Sequence, residues 1–264
     1  MIKGIYAAAS AMIANMDRQT ILSHNISNVD TPGFKTIMVS LDDWINTSVV
    51  PQIIDGQAGG ILSAVIPFLD TDQVSYLGEL GLGVESKTES MDFTQGSLQV
   101  TDETYDFAIE GDGMFRIMTP DGERYTRDGR FIRDSAGMLV TADGYYVLDT
   151  NGQPIQITGN KVEVDTSGII QMDGEVLSQI GLADFESPQT DLIREPSDLY
   201  AAVADPIEAT NAHVRQGALE MSNVNIAEMM TKMVTVGRSY EAAQKMVTAQ
   251  DSLLGKAIAV LGKV

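Results

Sequence analysis

The sequence predicts an α+β protein in which two long terminal helices pair in coiled-coil fashion and an all-β domain is inserted between them. Three observations carry this. From Ser222 to Val264 there is no Pro, and apolar residues recur at helical spacing. The first thirty residues repeat that pattern. Between the ends, Asp-Gly and Asn-Gly dipeptides cut the chain into short β-branched and aromatic runs.

The C-terminal row reads Met229, Met233, Val236, Tyr240, Ala243 and Val247, then Leu254 and Ile258. Steps of three and four hold these side chains on one helix face. A helix of ~40 residues is ~60 Å long, more than a small domain needs, so its seam suits other helices. A neighbouring row, Met230, Gly237, Gln244, Asp251 and Ile258, is small or polar in the middle. That departs from a two-stranded zipper. It fits either a helix packed among several neighbours or an ordinary solvent border.

At the N-terminus, Ile2, Ile5, Ala9, Met12 and Met16 form the matching heptad row, with Ile26 in register further on. The helix is expected from Lys3 to about Val29, where Thr31-Pro32-Gly33 stops it. Pro32 disfavours helix at Thr31, and Gly33 permits a turn. Ala7 and Ala9 have the spacing of a leader cleavage site, but Asn15, Asp17 and Arg18 continue the same period, so a cleaved leader is not expected. No stretch reaches the ~18 apolar residues of a membrane span.

The expected boundaries are residues 1–36 for the first helix and its turn, 37–84 for an extended connector, 85–186 for the β-rich domain, 187–215 for an irregular return, and 216–264 for the second helix. The β assignment rests on turns at Asp112-Gly113, Asp121-Gly122, Asp128-Gly129, Asp143-Gly144, Asn151-Gly152 and Asp173-Gly174, which suit tight hairpins. Strands so short and so regularly spaced indicate a sandwich or barrel.

Net charge is -20 over 264 residues, and it is unevenly spread. Residues 1–36 carry three basic and two acidic groups; residues 222–264 carry five and three. The middle therefore holds nine basic and 32 acidic groups, for -23. Near-neutral ends can bundle, while an acidic middle repels like neighbours and offers nothing to nucleic acid. There is no Cys and only two His, which removes disulfides, thiolate sites and His-rich metal centres.

Little in the sequence points to catalysis. Asp149-Thr150-Asn151-Gly152 is the nearest approach to a calcium loop and lacks the distal ligands. Pairs of carboxylates have no specificity among 37 acidic residues. No nucleophile-elbow, zinc-protease or phosphate-loop pattern is present. Arg116, Arg124, Arg127, Arg130 and Arg133 fall together among acidic residues. They read as cross-strand ion pairs or, alternatively, as a basic strip against another subunit's acidic middle.

Four segments, in order, resemble the bacterial flagellar rod and hook family. They are the run Asn25-Ile26-Ser27-Asn28-Val29-Asp30-Thr31-Pro32-Gly33-Phe34-Lys35, the run Phe93-Thr94-Gln95-Gly96-Ser97-Leu98, the stretch from Ala108 to Phe115 continuing through Tyr125-Thr126-Arg127-Asp128-Gly129, and Leu219-Glu220-Met221-Ser222-Asn223-Val224-Asn225. Length and terminal motifs are most similar to the family's distal rod members, with proximal rod members and rod-like paralogues as the alternative. The resemblance implies a structural subunit of the basal-body rod, not an enzyme, with no cofactor or metal. It implies export through the flagellar type III apparatus and helical stacking into the drive shaft between motor and hook, outside the cytoplasmic membrane. The implied partners are copies of the chain, other rod and hook subunits, the export apparatus and rings around the rod. Neither nucleic acid nor direct membrane insertion is implied. The expected seam residues are Ile5, Met12, Met16, Ile26, Met229, Met233, Tyr240 and Val247. The signature positions are Asn25, Asn28, Pro32, Gly33, Phe34, Ser222, Asn223, Val224 and Asn225. The rivals from other classes are a secreted β-rich protein that binds carbohydrate or calcium, and a cell-wall hydrolase.

Overall fold

A computed structural model describes residues 2–48, 53–54, 57–58, 79–159, 162–172 and 174–261. The chain forms two units. One comprises residues 1–20, 39–88 and 233–264, and the other residues 21–38 and 89–232.

Helix α1 spans Ile2–Ser27 and helix α3 spans Ile226–Leu261, so each end of the chain is helical, as its apolar period predicts. Within the first unit, Gly4 of α1 lies against α3. A Cβ built at Gly4 would stand 2.5 Å from the Gln250 amide nitrogen, so the absence of a side chain permits this approach. Neither helix is long and apolar enough to cross a membrane.

The expected connector contains two long strands, β1 (Thr36–Ser48) and β4 (Glu79–Asp92), hydrogen-bonded to each other. A two-residue pair, β2 (Ile53–Ile54) and β3 (Gln57–Ala58), lies between them in sequence. The remainder of the connector, residues 49–52, 55–56 and 59–78, falls outside the described residues, as does Asp173.

The second unit holds the remaining strands: β5 (Leu98–Val100), β6 (Phe107–Glu110), β7 (Met114–Thr119), β8 (Gly122–Thr126), β9 (Phe131–Arg133), β10 (Leu139–Thr141), β11 (Tyr146–Val147), β12 (Val162–Val164), β13 (Ile169–Met172), β14 (Glu175–Gln179) and β15 (Leu182–Asp184). After the one-turn helix α2 (Pro188–Asp191) come β16 (Leu192–Glu195), β17 (Leu199–Ala202), β18 (Ile207–Glu208), β19 (His213–Gln216) and β20 (Ala218–Glu220). The largest sheet runs β16-β17-β8-β7-β11-β10-β9, with β15 joining β7 to β18. Every pairing with an assigned register is antiparallel.

Strand β7 sets the two sides of this sheet. Phe115 and Ile117 enter one core with Phe107, Phe131, Leu139, Val147 and Leu199. Met114 faces the other side and packs with Tyr125, Phe185, Leu192 and Tyr200. Period-two alternation thus feeds two apolar clusters from one strand.

Two local readings change in the structure. The span expected to be irregular contains the hairpin β16–β17, closed by Pro196–Asp198, with Ser197 at φ 64 and Asp198 at φ 54. Left-handed turns usually announce themselves by Gly; here Ser and Asp take that conformation. Conversely, Gly129 has no positive φ. Its missing side chain makes room instead, because a Cβ there would strike the Phe107 carbonyl, and Phe107 donates its N–H back to the Gly129 carbonyl at 3.0 Å. The Asp149 carboxylate, the nearest approach to a calcium ligand, accepts the N–H groups of Asn151 and Gln153 and closes a turn.

The arginine group resolves into internal pairs. Arg116 meets Glu123 at 2.6 Å, Arg124 meets Glu195 at 2.7 Å, Arg127 meets Glu220 at 2.9 Å and Arg130 meets Asp128 at 3.0 Å. Arg133 donates to the Gly159 carbonyl.

Burial pushes the Tyr125 phenol up to about 12, with the neighbouring Glu123 charge adding to the effect. The folded value lies above the ordinary phenol value of 10.0, so the stability this group contributes is complete below pH 10 and is lost as pH rises toward about 12. Tyr125→Phe is expected to flatten the fall in urea midpoint across that window relative to wild type; parallel curves would contradict this assignment.

Candidate functional site

The residues that carry the sequence signature converge inside the second unit, on the segment that follows α1. After Ser27 the chain turns through Thr31-Pro32-Gly33, and Phe34 and Lys35 enter the interior. Gly33 sits at φ +72, where a Cβ would strike the backbone of Arg127 and Asp128. The glycine therefore serves both the turn and the contact. Phe34 is buried, with the His24 ring centroid at 5.6 Å and the Arg194 guanidinium 5.4 Å from its own ring centroid.

At the centre are three charges taken from distant parts of the chain. Lys35 Nζ donates to Glu220 Oε1 at 2.7 Å and to the Thr94 carbonyl at 2.8 Å. Arg127 donates to Glu220 Oε2 at 2.9 Å and to the Gly111 carbonyl at 2.8 Å. The Glu220 carboxylate also accepts the Gly96 N–H at 2.9 Å, and the Glu220 carbonyl accepts the Gly33 N–H at 2.7 Å. The Lys35 and Glu220 side chains are each only 1% exposed. Burial drives the Lys35 ammonium below its ordinary value; Glu220 opposes that shift, and Arg127 adds to it. Each of the two cations facing this one carboxylate also donates to a backbone carbonyl, which offsets part of its burial, while the buried Arg127 Nε has no hydrogen-bond partner.

Around this triad, the Asn side chains act as substitute backbone. Asn25 Nδ2 donates to the Ile37 carbonyl at 2.7 Å, and its Oδ1 accepts the Ile37 N–H at 3.0 Å. The fully buried amide thus pairs the end of α1 with the start of β1, as a strand neighbour would. Asn223 Oδ1 accepts both the N–H and the hydroxyl of Thr36, while its Nδ2 donates to the Asp92 carbonyl at 2.8 Å. Asn28 ties back to the His24 carbonyl and accepts the Thr31 hydroxyl. Asn225 caps α3, its Oδ1 accepting the N–H groups of Ala227 and Glu228. Ser222 Oγ accepts the Val224 N–H, and Val224 and Pro32 are buried. Gly96 packs so closely that a Cβ would strike the Met221 carbonyl.

The structure thus brings all nine signature residues into this unit and leaves the seam residues strung along the helices. On α3, Met229 and Val236 are buried, and Met233, Tyr240, Ala243, Val247, Gln250 and Leu254 are half-buried; Ile258 is exposed. On α1, Ile5, Met12 and Ile26 are half-buried, and Met16 is 54% exposed. The deepest side chains of α1 are Ala8, Ala14, Leu22 and Asn25, a stripe turned away from the expected row. Lys35, Arg127 and Glu220 each fall in a segment that carries the family resemblance, and Arg127 also belongs to the arginine group, but nothing in the sequence joins the three to one another. A further local signal is a charge set in an otherwise buried run, as in Ala218-Leu219-Glu220.

The arrangement supplies fastening. Among the described residues, no group of three His, Asp or Glu is placed to hold a metal ion. Three family profiles match the chain. They are described as Flagella basal body rod protein (residues 5–35), Flagellar hook protein FlgE/F/G D1 domain (108–177) and Flagellar basal body rod FlgEFG protein C-terminal (215–260). The chain is 33% identical to the flagellar basal-body rod protein FlgG of Bacillus subtilis, covering 96% of this chain and 97% of that protein. It is 32% identical to the FlgG of Borreliella burgdorferi, with 97% of each covered, and 32% identical to the flagellar basal-body rod protein FlgF of Rhizobium meliloti, with 99% of each covered.

Glu220→Gln strips both buried cations of their counter-charge and is expected to cost ~3–5 kcal/mol of unfolding free energy. Lys35→Met should cost less, because Glu220 keeps Arg127 and the Gly96 amide. Urea titrations of the two variants check the order, and a Glu220→Gln protein as stable as wild type would overturn it.

Proposed function

Because this chain belongs to the family of flagellar basal-body rod proteins, we propose that it is a structural subunit of the rod and polymerises helically through its terminal helices into the shaft between motor and hook. The observation that carries this reading is the apolar surface that both helices leave open. On α1, Tyr6, Ile13 and Met16 are each more than half exposed, and the same holds for Met230, Val234 and Met246 on α3. Their spacing on α1 is heptad-like, and such side chains in water are the ordinary mark of an interface awaiting a partner.

In this reading Ile5, Met12, Met16, Ile26, Met229, Met233, Tyr240 and Val247 form the seams, filled by helices of neighbouring copies and of other rod and hook subunits. The buried junction around Glu220 orders the chain where α1 leaves and α3 enters the β-rich unit. The role is mechanical: the chain performs no catalysis and takes no cofactor. A chain without Cys also suits passage through the flagellar export apparatus, since no disulfide has to be made or broken on the way.

Met233→Asp is expected to abolish sedimentable polymer while leaving the melting of the β-rich unit unchanged. Polymer of wild-type yield from that variant would sink the reading.

A further inference from the structure

The chain has 14 Met and no Cys. With no thiol to react first, the Met thioethers are its readiest targets for a peroxide. Burial sorts them. Met91, Met114 and Met229 are 7%, 4% and 6% exposed, whereas Met16 of α1 and Met230 and Met246 of α3 are 54%, 52% and 60% exposed. Met229 and Met230 are consecutive, so one turn of α3 carries a closed and an open thioether side by side. Met172 is a third kind. Its Sδ accepts the Gly159 N–H at 2.8 Å, which engages a lone pair that would otherwise attack an oxidant.

The chemistry at an open thioether is a two-electron step. The sulfur lone pair attacks one oxygen of hydrogen peroxide, an S–O bond forms and the O–O bond breaks. Sulfur is oxidised to the sulfoxide, and the peroxide leaves as water. A flexible apolar side chain thereby becomes a polar one with a strong hydrogen-bond acceptor. In water that change costs little. Against an apolar partner surface the new acceptor is buried without a donor. Ile13 lies three residues before Met16 and Val234 four after Met230, so the same helix faces hold apolar neighbours with no donor to offer.

We propose that Met16, Met230 and Met246 are oxidation sites, and that their conversion to sulfoxide holds the chain in its unassembled form. The second half rests on the polymer reading above. The device acts on the free chain: once neighbours cover the helices, the same thioethers are closed to peroxide. It is also reversible, because methionine sulfoxide reductases return the sulfoxide to the thioether.

The test uses the full-length chain and hydrogen peroxide. After a short exposure and quench, the gain of one oxygen is read at each Met by fragment mass. Met16, Met230 and Met246 are expected to oxidise about tenfold faster than Met114, Met172 and Met229, and equal rates overturn the sites. The oxidised chain is then expected to need about a tenfold higher concentration to give sedimentable polymer, with reductase treatment restoring the original threshold. Met38 of β1 and Met118 of β7, 43% and 38% exposed, are the competing targets. A protein carrying Met38→Leu and Met118→Leu should therefore lose polymer to peroxide as wild type does. Resistance of that protein overturns the switch and leaves the rod reading standing, as does unchanged polymer yield from chain oxidised at all three helix positions. Untreated chain that never sediments overturns the rod reading and the switch with it, while the oxidation rates still decide the sites.

Discussion

Glu220 is the point on which the second unit depends. Its carboxylate faces Lys35, Arg127 and the Gly96 amide, and its carbonyl takes the Gly33 N–H. Four stretches of chain, separated by as many as 185 residues, are thereby held at one buried residue. A carboxylate so placed cannot be left with one partner, since each unmatched charge in the interior costs several kcal/mol. The turn at Gly33, the close approach of Gly96 to Met221 and the Asn25 and Asn223 clasps all follow from seating those partners within hydrogen-bond reach.

This junction is also where both helices meet the β-rich unit. Asn25 sits in the last turns of α1, and Asn225 caps the first turn of α3. A helix that begins or ends on buried hydrogen bonds has a defined direction there, whereas its far end is set by whatever packs along it. That division suits a polymer subunit: one end of each helix is tied to its own fold, and the other keeps apolar residues such as Tyr6, Ile13 and Met246 open.

The charge distribution has a comparable logic. The arginines of β7 to β9 are largely taken up by carboxylates of their own unit, and a strongly acidic segment surrounds them. Long-range repulsion between such segments keeps copies apart in dilute solution. Short-range burial of apolar side chains has to overcome it before subunits stack.

Sequence alone determined the α+β class, the helical ends and the apolar period of α3, because a period of 3.6 is local and needs no partner to be read. It located most strands of the β-rich unit for the same reason, through turn dipeptides such as Asp121-Gly122 and Asp143-Gly144. It missed the β16–β17 hairpin, whose turn uses Ser197 and Asp198 in place of Gly. It assigned Gly129 to a turn conformation when its task is clearance. What only the tertiary structure decided is which charges are buried together. Lys35, Arg127 and Glu220 stand in three separate segments, and nothing local in any of them names the other two. Their partnership exists only after the chain has closed loops of 93 and 185 residues, and no local spacing encodes a contact of that range.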